Sequence, residues 1–400
     1  MFSHARGEIF FDADHHARER PSSIRFVSQD HSVSIRSDFR GGRLSRCVEI
    51  ADDEFDLLVK PEREPINDSA WYAFQVYATK PMSIRIRLRY AGGTHRYRPL
   101  ISRDKKTWQR IGKDRVTVHP QKTQAVFDLR IDDRPLWISA QELLTGDLIS
   151  QWSESLLQLP FVTQQEIGRS VQNRPIHQLK ISETTSPSYL FILGRQHPPE
   201  VSGTIGMMRF VEAITSQSKV ARSFRKQFCT VVVPMSNPDG VARGYWRCNA
   251  NGVDLNRDWG RFSQPETRAI GQSILDCRAA GRRSLYLLLD FHSTYEDVFY
   301  TAADVDDAFP AGFASSWLSA IDQRFPRYQV NHDATHNGNR TTSKAWAHET
   351  LGVAAVTYEF GDTTRRDRIE ELARGSAEEM MRLLLDRVDQ TKHATTLIKN

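Results

Sequence analysis

Tyr189-Leu190-Phe191-Ile192-Leu193-Gly194-Arg195-Gln196-His197-Pro198-Pro199-Glu200 changes character halfway along. Its first half is a short, continuously apolar run closed by glycine, the pattern of a strand buried on both faces. Its second half is polar and carries an imidazole and a carboxylate. The same change recurs three times downstream. Thr230–Val233 leads into Pro234-Met235-Ser236-Asn237-Pro238-Asp239-Gly240, Leu285–Leu289 into Asp290-Phe291-His292-Ser293, and Val353–Val356 into Thr357-Tyr358-Glu359-Phe360-Gly361. Segments of helical spacing lie between these runs, with Met207, Phe210, Val211 and Ile214 at i, i+3, i+4 and i+7. Buried strands alternating with helices predict an α/β/α layer on a mixed, largely parallel sheet.

Working outward, the texture changes near residue 140. Residues 31–140 show short alternating stretches separated by turn residues, among them Trp71–Tyr77 and Ala125–Leu129. Many short strands without a long helix predict an antiparallel β-sandwich. Arg85–Tyr90, the turn Ala91-Gly92-Gly93-Thr94 and His95–Arg98 read as a hairpin, with Arg85, Arg87 and Arg89 on one face and Arg96 and Arg98 returning beside them. Such a face is a candidate docking surface for acidic protein tails. Residues 1–30, including His15-His16, read as a polar arm, 141–391 as the α/β/α domain, and 392–400 as a frayed tail.

With 39% hydrophobic and 26% charged residues among 400, the chain is neither collagen-like nor wholly disordered nor a disulfide scaffold. Its apolar runs fall far short of the roughly 20 residues that cross a bilayer. Met1–Glu8 has no apolar segment of signal-peptide type, so a cytoplasmic location is expected. Cys47, Cys229, Cys248 and Cys277 form no CxxC pair. A net charge of +5 leans mildly towards acidic partners and does not indicate nucleic acid. GxSxG, GxGxxG and P-loop patterns are all missing from the sequence, which sets aside the usual serine hydrolases and nucleotide binders.

Ligands of open α/β sheets bind beyond the carboxyl ends of the strands. His197, Glu200, His292 and Glu359 all fall at such ends. His197 and Glu200, three residues apart on a turn, can share one metal ion. A third ligand from another strand, such as His292, leaves a fourth position for water, the arrangement of hydrolytic zinc sites. His332 and His336 are four apart, but the Asn, Asp, Thr and Gly around them predict a loop rather than a helical metal pair.

His197-Pro198-Pro199-Glu200, Pro234…Asn237-Pro238-Asp239-Gly240, Gly244…Arg247…Asn249…Gly252-Val253-Asp254-Leu255-Asn256-Arg257, His292 and Glu359, in this order, resemble the zinc carboxypeptidase family. Within it they resemble the cytosolic, deglutamylase-like branch, where a β-sandwich precedes the catalytic domain. Phe39-Arg40-Gly41-Gly42-Arg43-Leu44 and Ala70-Trp71-Tyr72-Ala73-Phe74 are similar to the sandwich signatures of that branch. The resemblance spans residues 35–385. It implies one Zn²⁺ per chain on His197, Glu200 and His292. It further implies hydrolysis of the C-terminal peptide bond of a peptide or protein by Glu359-assisted attack of zinc-bound water. Arg247 would stabilise the oxyanion, Asn256 and Arg257 would hold the terminal carboxylate, and Asp254 would orient the ring of His197.

In related carboxypeptidases the residue two before a Trp and fifteen before the catalytic Glu faces the side-chain pocket. Here that is Lys344, before Trp346, which implies release of C-terminal Glu or Asp. Should the register shift and turn Lys344 to solvent, Arg340 could take the same part. Two departures stand out. Pro198 and Pro199 replace an arginine that extracellular members carry, a difference the cytosolic branch shares. Around Asn337-Gly338-Asn339-Arg340 the family's mobile tyrosine is missing. Two other functions fit parts of the pattern: a zinc deacylase of N-acyl amino acids, and a non-catalytic module binding acidic tails. Deacylases lack the sandwich and the NPDG segment, and the intact set of His197, Glu200, His292 and Glu359 argues against a dead scaffold.

Overall fold

The structure is a computed structural model that describes residues 8–10, 23–185, 188–279, 284–302, 308–336 and 341–399. The His15-His16 pair and the stretch 337–340 lie outside the described residues. The chain forms two compact units, one built from the residues up to Gly146 with His197–Pro199 and Asp239–Gly252, the other from the remainder.

In the first unit, seven antiparallel strands run in the order Glu8–Phe10, Arg25–Val27, Val33–Arg36, Ala73–Ala78, Leu136–Ser139, Leu100–Ser102 and Gln109–Arg110. A second sheet orders Val116–Val118, Gln124–Ile131, Met82–Tyr90, Glu54–Val59 and Arg46–Ala51, antiparallel except for the parallel pair Glu54–Val59 and Met82–Tyr90. Alternation does the sorting: Ile84, Ile86, Leu88 and Tyr90 are buried while Ser83, Arg85 and Arg89 are exposed. Phe26 of one sheet meets Phe55 of the other edge-on, with ring centroids 5.9 Å apart.

The hairpin expected over 85–98 is not formed. Met82–Tyr90 takes distant partners, Gln124–Ile131 and Glu54–Val59, and 95–98 is not a strand. Beyond the glycine turn the polar groups bond elsewhere: Thr94 N donates to Asp68 Oδ1 (2.9 Å), Arg96 Nη1 to Ser69 Oγ (2.9 Å), and Tyr90 Oη pairs with His95 Nδ1 (2.8 Å). The arginine face is not an open cationic strip either. Arg85 pairs with Asp128 (2.9 Å), Arg89 with Asp56 (2.6 Å) and Arg87 with Glu54, all acids from neighbouring strands. Exposed pairs of this kind add little stability, but they cancel the charge that would attract an acidic tail. Towards the chain ends, Glu8–Phe10 and Arg25–Val27 are strands, and the last helix is Arg366–Lys399.

The second unit is the predicted α/β/α layer. Its eight-stranded sheet runs Val162–Arg169, Pro175–Ile181, Phe228–Val233, Ser188–Gly194, Leu285–Thr294, Ala354–Gly361, Val298–Tyr300, His332–Asp333. The four apolar runs form its centre, and every neighbouring pair among them is parallel. One face packs on Met207, Phe210, Val211 and Ile214 of helix Val201–Thr215, with Trp317, Ile369 and Met380. The other packs on Trp259, Ile270, Ile274 and Trp346. With both faces covered, the central strands can be apolar throughout. From Ser188–Gly194 the chain moves to one side for Phe228–Val233, then to the other for Leu285–Thr294. That reversal is a topological switch point, where such sheets open a crevice at their carboxyl ends.

Candidate metal centre

Strand register places the chemistry. Leu288, Asp290 and His292 alternate along one strand, and Ala355, Thr357 and Glu359 along its parallel neighbour, paired residue for residue. Leu288 and Ala355 belong to the core beneath Trp259 and Trp346, so Asp290, His292, Thr357 and Glu359 extend the same face beyond that core. His292 and Glu359 are direct register partners.

The turn after Ser188–Gly194 is shaped by its neighbours. Arg195, buried, adopts a left-handed backbone (φ 56°). Ser236 N and Asn237 N donate to Gly194 O (3.1 Å) and Arg195 O (3.2 Å), and Asn237 Nδ2 donates to Gln196 O (3.0 Å). Asn237 of the NPDG segment thus holds the turn that leads into His197.

His197, Glu200 and His292, all buried, offer ligand atoms that lie within 4.8 Å of one another. Among the described residues this is the His/Cys/Asp/Glu group compact enough to hold an ion. His292 Nδ1 lies 2.6 Å from Glu200 Oε2, and His292 Nε2 lies 2.8 Å from Asp290 Oδ2. With Nε2–H donating to Asp290, Nδ1 carries the lone pair and faces the ligand cluster, the way a carboxylate behind a histidine selects its metal-binding tautomer. Burial disfavours a charged His292, yet the carboxylates of Asp290 and Glu200 outweigh it and raise the ring's pKa well above its usual value. The same negative field that favours a proton there favours a dication in its place. Two imidazoles and one carboxylate form the donor set of a catalytic zinc, so the residues fit that metal.

Asp290, fully buried, is itself tied down. Its Oδ2 also accepts from Gln196 Nε2 (2.6 Å) and from Ser343 Oγ, while Trp259 Nε1 donates to Gln196 Oε1 (2.9 Å). The strand order Asp290-Phe291-His292 carried a signal for this role, because residues two apart share a face. Gln196 and Ser343 gave no such signal.

Helix Val201–Thr215 closes on this centre. Gly203 N donates to Ser293 Oγ (2.7 Å), and a Cβ on Gly203 would lie 2.1 Å from the carbonyl oxygen of His292. That backbone cannot yield cheaply. Gly203→Ala is expected to cost about 1–3 kcal/mol of stability and to weaken zinc binding. Thermal melting and metal titration check this, and parental values for both would show that the helix can slide.

Asp254 caps the turn Leu255–Arg257, its Oδ1 accepting from Asn256 N (2.9 Å). Asn256 Oδ1 accepts from Ser343 N (3.0 Å), and its Nδ2 lies 3.3 Å from His292 Nε2, so this amide is placed against His292. Arg257 Nη1 donates to Asn256 O (2.6 Å), and Thr341 Oγ1 to Arg257 O (2.8 Å). Arg247 lies half-buried in the first unit.

Lys344 does not point to solvent. It sits buried in the first turn of helix Ser343–Leu351, and its Nζ donates to Thr301 O (2.5 Å) and His336 O (3.1 Å). Burial brings its pKa down to about 8, partly offset by Asp333 and Glu349. His332 bonds Thr301 Oγ1 (2.7 Å), and His336 stacks on Tyr300 with ring centroids 4.0 Å apart. Arg340 lies outside the described residues.

The family described as zinc carboxypeptidase matches residues 149–379, more than half of the chain. The chain belongs to the zinc carboxypeptidase family. Among curated relatives of this family member, mouse cytosolic carboxypeptidase 6 is 26% identical over 280 residues, covering 64% of this chain and 52% of the relative. Cytosolic carboxypeptidase 6 of Caenorhabditis elegans is 23% identical over 373 residues, covering 83% and 81%. The chain thus spans about half the length of the mouse relative. Among solved structures, a metallo-carboxypeptidase from Burkholderia cenocepacia superposes with a TM-score of 0.72 at 19% identity, covering 89% of this chain and 99% of that one. One from Pseudomonas aeruginosa, in complex with (2-guanidinoethylmercapto)succinic acid, gives 0.69 at 20% identity, covering 88% and 98%. At these identities the likeness establishes the fold.

Proposed function

We propose that the protein is a zinc-dependent metallocarboxypeptidase that hydrolyses the C-terminal peptide bond of peptides or proteins and prefers acidic C-terminal residues. The observation that carries this reading is the His197, Glu200 and His292 cluster, with Asp290 behind His292 and Glu359 beside it in register. Zinc held there would lower the pKa of water towards roughly 7 and polarise the scissile carbonyl. Glu359, half-buried on the same sheet face, takes the proton of the attacking water and returns it to the leaving amine. The charge of Glu359 reaches Tyr300, whose hydroxyl is pushed up to about 12 by burial first and by Glu359 next. Arg247 stabilises the oxyanion of the tetrahedral intermediate, and Asn256 and Arg257 bind the substrate's terminal carboxylate. We assign the cytosol as its compartment on the names of the curated relatives. Among the described residues no helix is long and apolar enough to cross a membrane.

Mass spectrometry of a peptide library with varied C-terminal residues, with and without a zinc chelator, tests the activity. Chelator-sensitive release of single C-terminal residues is expected. Cleavage of N-acyl amino acids in place of peptides would overturn the reading.

The acidic preference rests on Lys344. Among the described residues two of its three donors go to carbonyls, and we assign the third to a substrate carboxylate. A pKa of about 8 sets the sign: the group is an ammonium below that pH and a neutral amine above it. The ratio of kcat/KM for C-terminal Glu over Leu is therefore expected to fall by about tenfold as pH rises through 8, and to stay low and flat in Lys344→Met. A ratio indifferent to both changes would leave Lys344 as a tie between two loops.

A further inference from the structure

Three consecutive backbone N–H groups in the segment Asp239–Gly252 converge on one carboxylate. Glu62 Oε2 accepts from Trp246 N at 2.7 Å, and Oε1 accepts from Arg247 N at 2.8 Å and Cys248 N at 2.7 Å. Hydrogen bonds to an ionised acceptor are the stronger kind, and these three flank the Cα of Arg247 on both sides.

Both ends of this contact are fixed within the first unit. Lys60 O, two residues before Glu62, accepts from Arg43 Nε (2.9 Å) and Nη2 (2.8 Å). Arg43 is 1% exposed, with its guanidinium 5.2 Å from the ring centroid of Tyr245. On the other end, Trp246 Nε1 donates to Trp71 O (3.0 Å), Trp71 Nε1 to Gly41 O (2.8 Å), and Gly41 N to Ala242 O (2.9 Å). Gly244, at φ 62°, lets the segment lie so close that a Cβ there would be 2.8 Å from Gly41 O. The stretches Phe39–Leu44 and Ala70–Phe74, which the sequence marked without a role, thus form the seat for the Arg247 segment.

We propose that Glu62 is a positioning residue for Arg247, holding the backbone from which its guanidinium acts. This deepens the reading of Arg247 as the oxyanion partner and rests on it. Stabilising a developing oxyanion depends on donors fixed beforehand, to within about 0.5 Å. A side chain as long as arginine meets that demand only if its own backbone is immobile. The sandwich then contributes to turnover through one carboxylate without touching substrate.

The test uses the full zinc-loaded chain. Glu62→Gln turns one acceptor oxygen into a donor facing N–H groups. It is expected to lower kcat about tenfold or more with KM unmoved, and to speed amide hydrogen exchange at Arg247 and Cys248. In an Arg247→Ala background the same change is expected to cost nothing further in kcat. Glu62→Asp, which keeps the charge but withdraws it by one methylene, should give a smaller kcat loss, and it carries the test should Glu62→Gln fail to fold. Parental kcat in both Glu62 variants, beside a slow Arg247→Ala enzyme, would overturn this proposal alone. Equal losses with and without Arg247 would overturn it as well. Parental kcat in Arg247→Ala would overturn the reading of Arg247 first and this proposal with it.

Discussion

The Glu359→Gln protein is expected to fold, to keep its zinc, and to turn over about 10⁴-fold more slowly than its parent. Glutamine preserves the shape of a half-buried side chain on the strand Ala354–Gly361, so the pairing of residue 359 with His292 and Val298 is retained. The group proposed to hold the metal is His197, Glu200 and His292, and the carboxylate behind it is Asp290, so none of the proposed ligands is touched. What is lost is the one group proposed to move protons. A general base is worth about 10²–10⁴-fold, and a group that acts first as base and then as acid belongs at the upper end. Metal analysis alongside peptide hydrolysis checks the prediction. A zinc-replete Glu359→Gln enzyme within tenfold of the parental kcat would remove Glu359 from the mechanism.

The layer containing Glu359 was legible because burial on both faces writes itself as an uninterrupted apolar run. Tyr189–Leu193, Thr230–Val233, Leu285–Leu289 and Val353–Val356 lead along four adjacent central strands, and the polar residues following them bring the candidate metal ligands to one edge. The hairpin over 85–98 failed for a related reason. Alternation reports which face a residue takes, not which strand lies beside it, and Met82–Tyr90 found its partners at 54–59 and 124–131. Counting back from Glu359 reached Lys344 but could not say that it sits in the first turn of a helix and spends two donors on the carbonyls of Thr301 and His336. Glu62 was illegible altogether, being 184 residues from Trp246, and only tertiary structure brings its carboxylate to those N–H groups.

Asp290→Asn is expected to show the opposite signature to Glu359→Gln: zinc affinity falling about 10–100-fold, with kcat largely recovered when zinc is supplied in excess. The asparagine oxygen can occupy the place of Oδ2, so the bonds to His292 Nε2, Gln196 Nε2 and Ser343 Oγ remain possible. The charge does not remain. A neutral amide holds the Nε2–H tautomer of His292 less firmly and makes Nδ1 a weaker donor to a dication. Asp290→Ala should be harsher, because it strands Gln196 and Ser343 in a buried site at about 1–3 kcal/mol for each unsatisfied group. Competition with a chromophoric chelator measures the affinities, and melting of the metal-free proteins separates the two variants: Asp290→Asn close to its parent, Asp290→Ala clearly lower. Parental zinc affinity in Asp290→Asn would mean that the 2.8 Å contact merely fills space behind the ring.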